Sequence, residues 1–133
     1  MPKKKDNNIE KPKRKRNGSY SKRKGNAWEC KIAKELRDLG YSGVVTARSE
    51  SKRMDDAKID LIDTNGELPF YPQIKATQSI PSYFKIRKEC PLKDKPFVIF
   101  WAKQVAKEKN IVTEGEVVII PKEYFYELIK CKE

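Results

Sequence analysis

Glu29, Asp60, Gln73 and Lys75 have side-chain types and spacings that could do chemistry. Asp60 interrupts an apolar run, Lys58-Ile59-Asp60-Leu61-Ile62, where an aspartate is unfavourable unless something compensates it. Further along comes Pro72-Gln73-Ile74-Lys75, which reads as the next strand. A strand presents residues i and i+2 on one face, so Gln73 and Lys75 point the same way. Glu29 precedes both, on the flank of a helix's apolar stripe. Two acids and a lysine converging on one sheet edge can hold a divalent cation beside a phosphodiester. Mg²⁺ takes octahedral oxygen ligands and keeps several waters, so Glu29, Asp60 and the backbone carbonyl of Ile74 suffice; Mn²⁺ accepts the same donors. The cation would lower the pKa of a bound water, which Lys75 would orient, or Lys75 would stabilise the developing charge.

Each residue taken singly also has a plain reading. Glu29 can be a solvated glutamate favoured by the helix dipole, Asp60 can lie on the wet face of a hairpin, and Lys75 can guard a sheet edge. Only the ordered set points to chemistry. Asp63 abuts a turn and is explained by it, and Asp55 and Asp56 fall in a charged loop.

The elements that must position these residues follow from periodicity. Asn26 reads as the N-cap of a helix from Ala27 to about Leu39, with Trp28, Ile32, Leu36 and Leu39 as its stripe and Gly40 as its end. Gly43 to Ala47 predicts a strand, Arg48 to Lys58 a loop, and Ile59 to Asp63 a second strand. The Asn65-Gly66 turn makes Leu68 to Ala76 the antiparallel partner of that strand. Residues 79–90 fit a helix or a packed loop. Pro96 to Ala102 predicts a central buried strand, Lys103 to Gly115 a polar connection, and Glu116 to Ile120 the last strand. Pro121 opens a final helix with Phe125, Leu128 and Ile129 on one face. The aromatic residues Tyr83, Phe84, Phe97, Phe100 and Trp101 have aliphatic neighbours and read as core. This order predicts an α/β fold, a mixed sheet flanked by helices.

Charge divides the chain. Of 133 residues, 30 are Lys or Arg and 19 are Asp or Glu, a net charge of +11. Residues 1–24 hold 11 basic and 2 acidic side chains, and the remaining 19 basic residues nearly balance 17 acidic ones over residues 25–133. The expectation is a disordered basic arm (1–24) joined to one folded domain (25–133). The arm has no apolar face for a membrane, so its partner is expected to be nucleic acid. Lys13, Arg14, Lys15, Arg16, Arg23 and Lys24 would hold phosphates there, and Arg48, Lys52 and Arg53 would do so in the charged loop. Cys30, Cys90 and Cys131 form no CxxC pair and there is no histidine, so neither a zinc site nor a disulfide framework is expected. A reducing, cytoplasmic setting follows, with no secretory signal and no membrane span.

The series Glu29, Asp60, Gln73-Ile74-Lys75 resembles the PD-(D/E)XK nuclease superfamily. Gly25-Asn26-Ala27-Trp28-Glu29 through Lys75 is similar to its Holliday junction resolvase branch, the archaeal type and its phage relatives. The resemblance covers about residues 25–102. It implies a restriction-endonuclease-like αβββαβ core, Mg²⁺-dependent (or Mn²⁺-dependent) cutting of branched DNA, and a homodimer, since resolution takes two symmetric cuts. It makes Glu29 the helix acid, Asp60 the metal-binding aspartate and Lys75 the motif lysine. Gln73 stands where an acid is usual, keeping an oxygen ligand and losing a charge. A loop serine that assists catalysis would be Ser49 or Ser51. Two other readings stay open: an inactive nucleic-acid-binding module of the same fold, and a small basic structural protein.

Overall fold

The computed structural model describes residues 23–130; the arm residues before them, with Lys13, Arg14, Lys15 and Arg16, and Cys131 lie outside that range. Residues 23–38 form helix α1. Asn26 therefore lies inside the helix and is not its cap, because the helix is already under way three residues earlier. Ile32 and Leu36 are buried and Trp28 packs beside them, whereas Leu39 is 75% exposed, so the stripe stops one turn short of its predicted end. The reason is the helix end. Tyr41 donates its N–H to the Leu36 carbonyl and Gly40 to that of Arg37, with Gly40 at φ +119°. That is a Schellman closure, and it turns Leu39 out while Tyr41 packs back on the core that holds Leu36.

Strand β1 (Val44–Thr46) pairs antiparallel with β2 (Leu61–Asp63). Between them the predicted loop is two short helices, α2 (Ala47–Glu50) and α3 (Lys52–Asp56). Ser51 starts α3 by accepting the Met54 N–H, so within the stretch that reads as loop Ser49 and Glu50 are the last residues of α2 and Ser51 is the cap between the two helices. Asp63 holds the turn that follows, accepting the N–H groups of Asn65, Glu67 and Leu68.

Strand β3 (Tyr71–Thr77) is not the hairpin partner of β2. It runs parallel to β4 (Phe97–Lys107), which pairs antiparallel with β5 (Asn110–Ile119), giving a mixed sheet β3-β4-β5. Pro69 and Pro72 lack the N–H groups that a β2 ladder would use. A backbone bond from Asp60 N–H to the Pro72 carbonyl (2.9 Å) joins the segment before β2 to β3. Helix α4 (Tyr83–Glu89) makes the crossover from β3 to β4. The expected polar connection over 103–115 is instead the outer half of a long hairpin, turning at Glu108 (φ +50°) with a bulge at Lys103/Gln104. β5 is exposed nearly throughout, so its residues carry no alternation of apolar and polar positions that would mark a strand.

Helix α5 (Lys122–Ile129) follows Pro121 as predicted, but Phe125, Leu128 and Ile129 are exposed. Tyr124 is the ring it turns inward, onto Phe70. Two apolar clusters clothe the two sides of the sheet. Ile32, Leu36, Val44, Leu61, Leu68 and Ile74 lie on the α1 side, with Phe100 beside them. Ile59, Tyr71, Phe97 and Ile99 lie on the other, with Tyr83, Ile86 and Trp101 of α4 and β4. Tyr83, Phe97, Phe100 and Trp101 thus belong to the core as predicted, and Phe84, at 78% exposed, does not.

Candidate active site

Asp60 reaches its place through a backbone device. Helix α3 ends with Lys58 in the left-handed region (φ +68°), while Lys58 N–H bonds the Asp55 carbonyl and Ile59 N–H that of Met54. Ile59 and Met54 then meet in one cluster. This is a second Schellman closure, with lysine where glycine is usual. It reverses the chain so that Ile59 drops into the core and Asp60 faces β3.

There Asp60 is 8% exposed and its Oδ2 accepts two bonds from β3, the Ile74 N–H at 2.8 Å and the Gln73 amide Nε2 at 3.0 Å. Burial pushes its carboxyl up to about 7; the Ile74 bond and the Lys75 ammonium oppose this, and the charges of Glu29 and Asp55 reinforce it. Gln73 is equally buried, and with its amide spent on Asp60 its Oε1 has no partner. A buried amide oxygen without a hydrogen bond is costly and calls for a donor, a water or a cation. In a strand, the N–H and C=O of one residue point the same way, so the Ile74 carbonyl also faces the Asp60 side.

Glu29 comes to this place from α1. Its Oε1 takes the Arg48 guanidinium of α2 at 2.8 Å. Burial raises its carboxyl above the ordinary glutamate range, Arg48 pulls it back, and Asp55 adds to the rise. Lys75 stands on β3 opposite Trp101, on the same side of the sheet as Gln73. Glu29 and Lys75 thus act on Asp60 through their charges, and Gln73 and Ile74 through hydrogen bonds, although β2 and β3 do not form the hairpin expected to bring Asp60 and Lys75 together. Arg48 joins them through Glu29. Asp55 joins them through its field, a role its place in a polar stretch did not reveal; the signal available was its position five residues before Asp60 on an element that folds back.

The other candidates are held elsewhere. Ser49 Oγ bonds the Thr46 carbonyl and accepts from the Thr46 hydroxyl, and Ser51 caps α3. Lys52 pairs with Asp56 at 3.5 Å on the surface. Arg53 contributes its charge at Tyr71. Arg23 and Lys24 lie on the first turn of α1 that the structure describes.

The donor set suits a hard divalent cation: two carboxylates, an amide oxygen lacking a partner and a strand carbonyl, all oxygen. No group of three or more His, Cys, Asp or Glu side chains among the described residues is placed to hold a metal, so the amide and carbonyl oxygens and water would have to complete the shell. Among the described residues no helix is long and apolar enough to cross a membrane.

No protein-family model, curated protein or solved structure matches this chain. The resemblance to the nuclease superfamily therefore stands on the motif residues alone.

Proposed function

We propose that this chain is a metal-dependent DNA endonuclease with a restriction-endonuclease-like core, acting on branched DNA. The observation that carries the reading is the Asp60–Gln73 pair, a buried carboxylate of raised pKa beside a buried amide oxygen that nothing satisfies. Such a pair is a poor structural solution and a good half of a cation site. Glu29, Asp60, Gln73 Oε1 and the Ile74 carbonyl would hold Mg²⁺ or Mn²⁺. When bound, the cation supplies an acidified water and charge neutralisation at the phosphate. The chain's own residues do the rest. Lys75 places a positive charge at the edge where the phosphate would lie and stabilises the charge that develops there. The Ile74 N–H and the Gln73 amide both bond Oδ2 and so fix the orientation of the Asp60 carboxylate. Arg48, half exposed, is available to a phosphate when it leaves Glu29.

The same ion pair supports a second reading. Arg48 already neutralises Glu29, as in a nucleic-acid-binding module that has kept the fold without the chemistry. Cleavage of a labelled four-way junction with and without Mg²⁺ or Mn²⁺, against linear duplex and against Asp60→Asn, separates them. Paired nicks that need both metal and Asp60 support the resolvase. Equal cutting of duplex keeps the endonuclease and removes junction selectivity. Binding with no cutting under either metal leaves the module.

A further inference from the structure

Helix α4 turns Tyr83 and Ile86 into the cluster that contains Ile99 and Trp101. Those two residues are the register partners of Gln73 and Lys75 on β3, so α4 stands over the side of the sheet that carries these two members of the candidate site. Its opposite face presents Phe84, Lys85 and Lys88, with Lys88 the helical neighbour of both Phe84 (i,i+4) and Lys85 (i,i+3). Phe84 is 78% exposed, its ring perpendicular to that of Tyr83 with centroids 5.3 Å apart, and Ile80, 67% exposed, precedes it in the same segment. Lys85 and Lys88 are exposed and have no acidic partner among the described residues, while Glu89, the helix's acid, is 3.8 Å from Lys58. Beside Phe84 a cavity of about 400 Å³ opens against Ile119, Ile120 and Pro121, with one cation, Lys122, and one acid, Glu123, also in its lining, within the size range of small-ligand pockets.

An exposed aromatic ring flanked by two unpaired cations suits an aromatic ligand that carries negative charge. We propose that the outward face of α4 is a stacking platform for an unpaired base of DNA, with Phe84 taking the base and Lys85 and Lys88 the adjoining phosphates. That the occupant is nucleic acid, and not a second protein, rests on the endonuclease reading above and on the charge of this face. Stacking on an aromatic ring accepts any base, so the platform recognises a base that has left its pair, as at a branch point, and not a sequence.

The test is binding of the full chain, without divalent cation, to four oligonucleotides. These are a four-way junction with 2-aminopurine at the branch, a single DNA strand, an RNA strand of the same sequence, and a fully paired duplex. Phe84→Ala should bind the junction and the single DNA strand about 5- to 150-fold more weakly, with duplex binding nearly unchanged. Phe84→Trp should retain binding. Quenching of 2-aminopurine should be present in wild type and Phe84→Trp and absent in Phe84→Ala. Lys85→Gln and Lys88→Gln should each flatten the salt dependence of single-strand binding by roughly 0.7 in log–log slope. Unchanged binding of every oligonucleotide by Phe84→Ala overturns the proposal. So does a change in sedimentation with binding intact, which makes the face a protein interface, or tighter Phe84-dependent binding of RNA than of DNA. Cleavage is read separately with metal. A Phe84-dependent chain that never cuts keeps the platform and loses the endonuclease; a Phe84→Ala chain that binds and cuts like wild type does the reverse.

Discussion

Gln73 gives its amide to Asp60 at 3.0 Å and keeps its own carbonyl oxygen buried with no partner. The pair is therefore half satisfied, and the unsatisfied half is an oxygen. Replacing Gln73 with Glu converts that oxygen into a second buried acid. Without a cation two carboxylates at this distance cannot both ionise, and the folded state should lose on the order of 2–4 kcal/mol at neutral pH. With Mg²⁺ or Mn²⁺ the added charge is a better ligand. Gln73→Glu should accordingly melt below wild type in chelator and gain more than wild type when metal is added. Thermal unfolding in both conditions reads this. A variant that metal fails to rescue would remove Gln73 from the cation shell.

The raised Asp60 pKa has a definite sign in stability. The group ionises near 3.8 when unfolded and at about 7 when folded. Its contribution is fully present below pH 3.8 and is lost as pH rises through about 7. Wild type without metal should lose on the order of 2–4 kcal/mol from this group between pH 4 and pH 8. Asp60→Asn cannot ionise and should lack that slope while keeping an acceptor for the Ile74 N–H. Metal should stabilise wild type more at pH 8 than at pH 6, since only the ionised carboxylate binds it. Urea unfolding across pH, wild type against Asp60→Asn, cancels the other titrating groups; parallel curves would sink the assignment.

Arg48 is the counter-ion of Glu29, at 2.8 Å. The pair is partly exposed, 41% on the arginine side and 13% on the glutamate side, so Arg48→Ala should cost about 1 kcal/mol or less. Its larger effect should fall on function. Removing the guanidinium frees a ligand, and Mn²⁺ should bind tighter at pH 8 by calorimetry. DNA binding should weaken, with its salt slope reduced by roughly 0.9 for one lost phosphate contact on duplex. Metal affinity that falls instead would mean that Arg48 positions Glu29 and does not compete for it.

Much of this was legible in the sequence because it is periodic. The helix stripe through Ile32 and Leu36, the apolar Phe97–Ala102 core of β4 and the Asp63 turn all follow from spacing and residue type. Illegible were features decided by tertiary partners. The preference of β3 for a parallel β4 over its sequence neighbour β2 comes from prolines and from α4, not from an Asn-Gly turn that points the other way. The exposure of Phe84, Leu128 and Ile129 is a matter of which helix face finds a neighbour, and an apolar residue carries no mark of having failed to find one.

Lys58 offers a test of the backbone that delivers Asp60. A non-glycine residue in the left-handed region costs about 1–2 kcal/mol, and glycine there avoids that cost while adding about 0.5–1 kcal/mol of unfolded-chain entropy. Lys58→Gly should therefore stabilise the fold by up to about 1 kcal/mol, since the Lys58–Glu89 contact at 3.8 Å is too long and too exposed to offset it. Lys58→Val should do the opposite, because a branched Cβ is least tolerated at φ +68°. If the closure after α3 sets the direction of Asp60, Lys58→Val should also blunt the metal-induced rise in melting temperature, while Lys58→Gly preserves it. Paired melts of the two variants, with and without Mn²⁺, separate strain at this residue from loss of its charge, which both variants share.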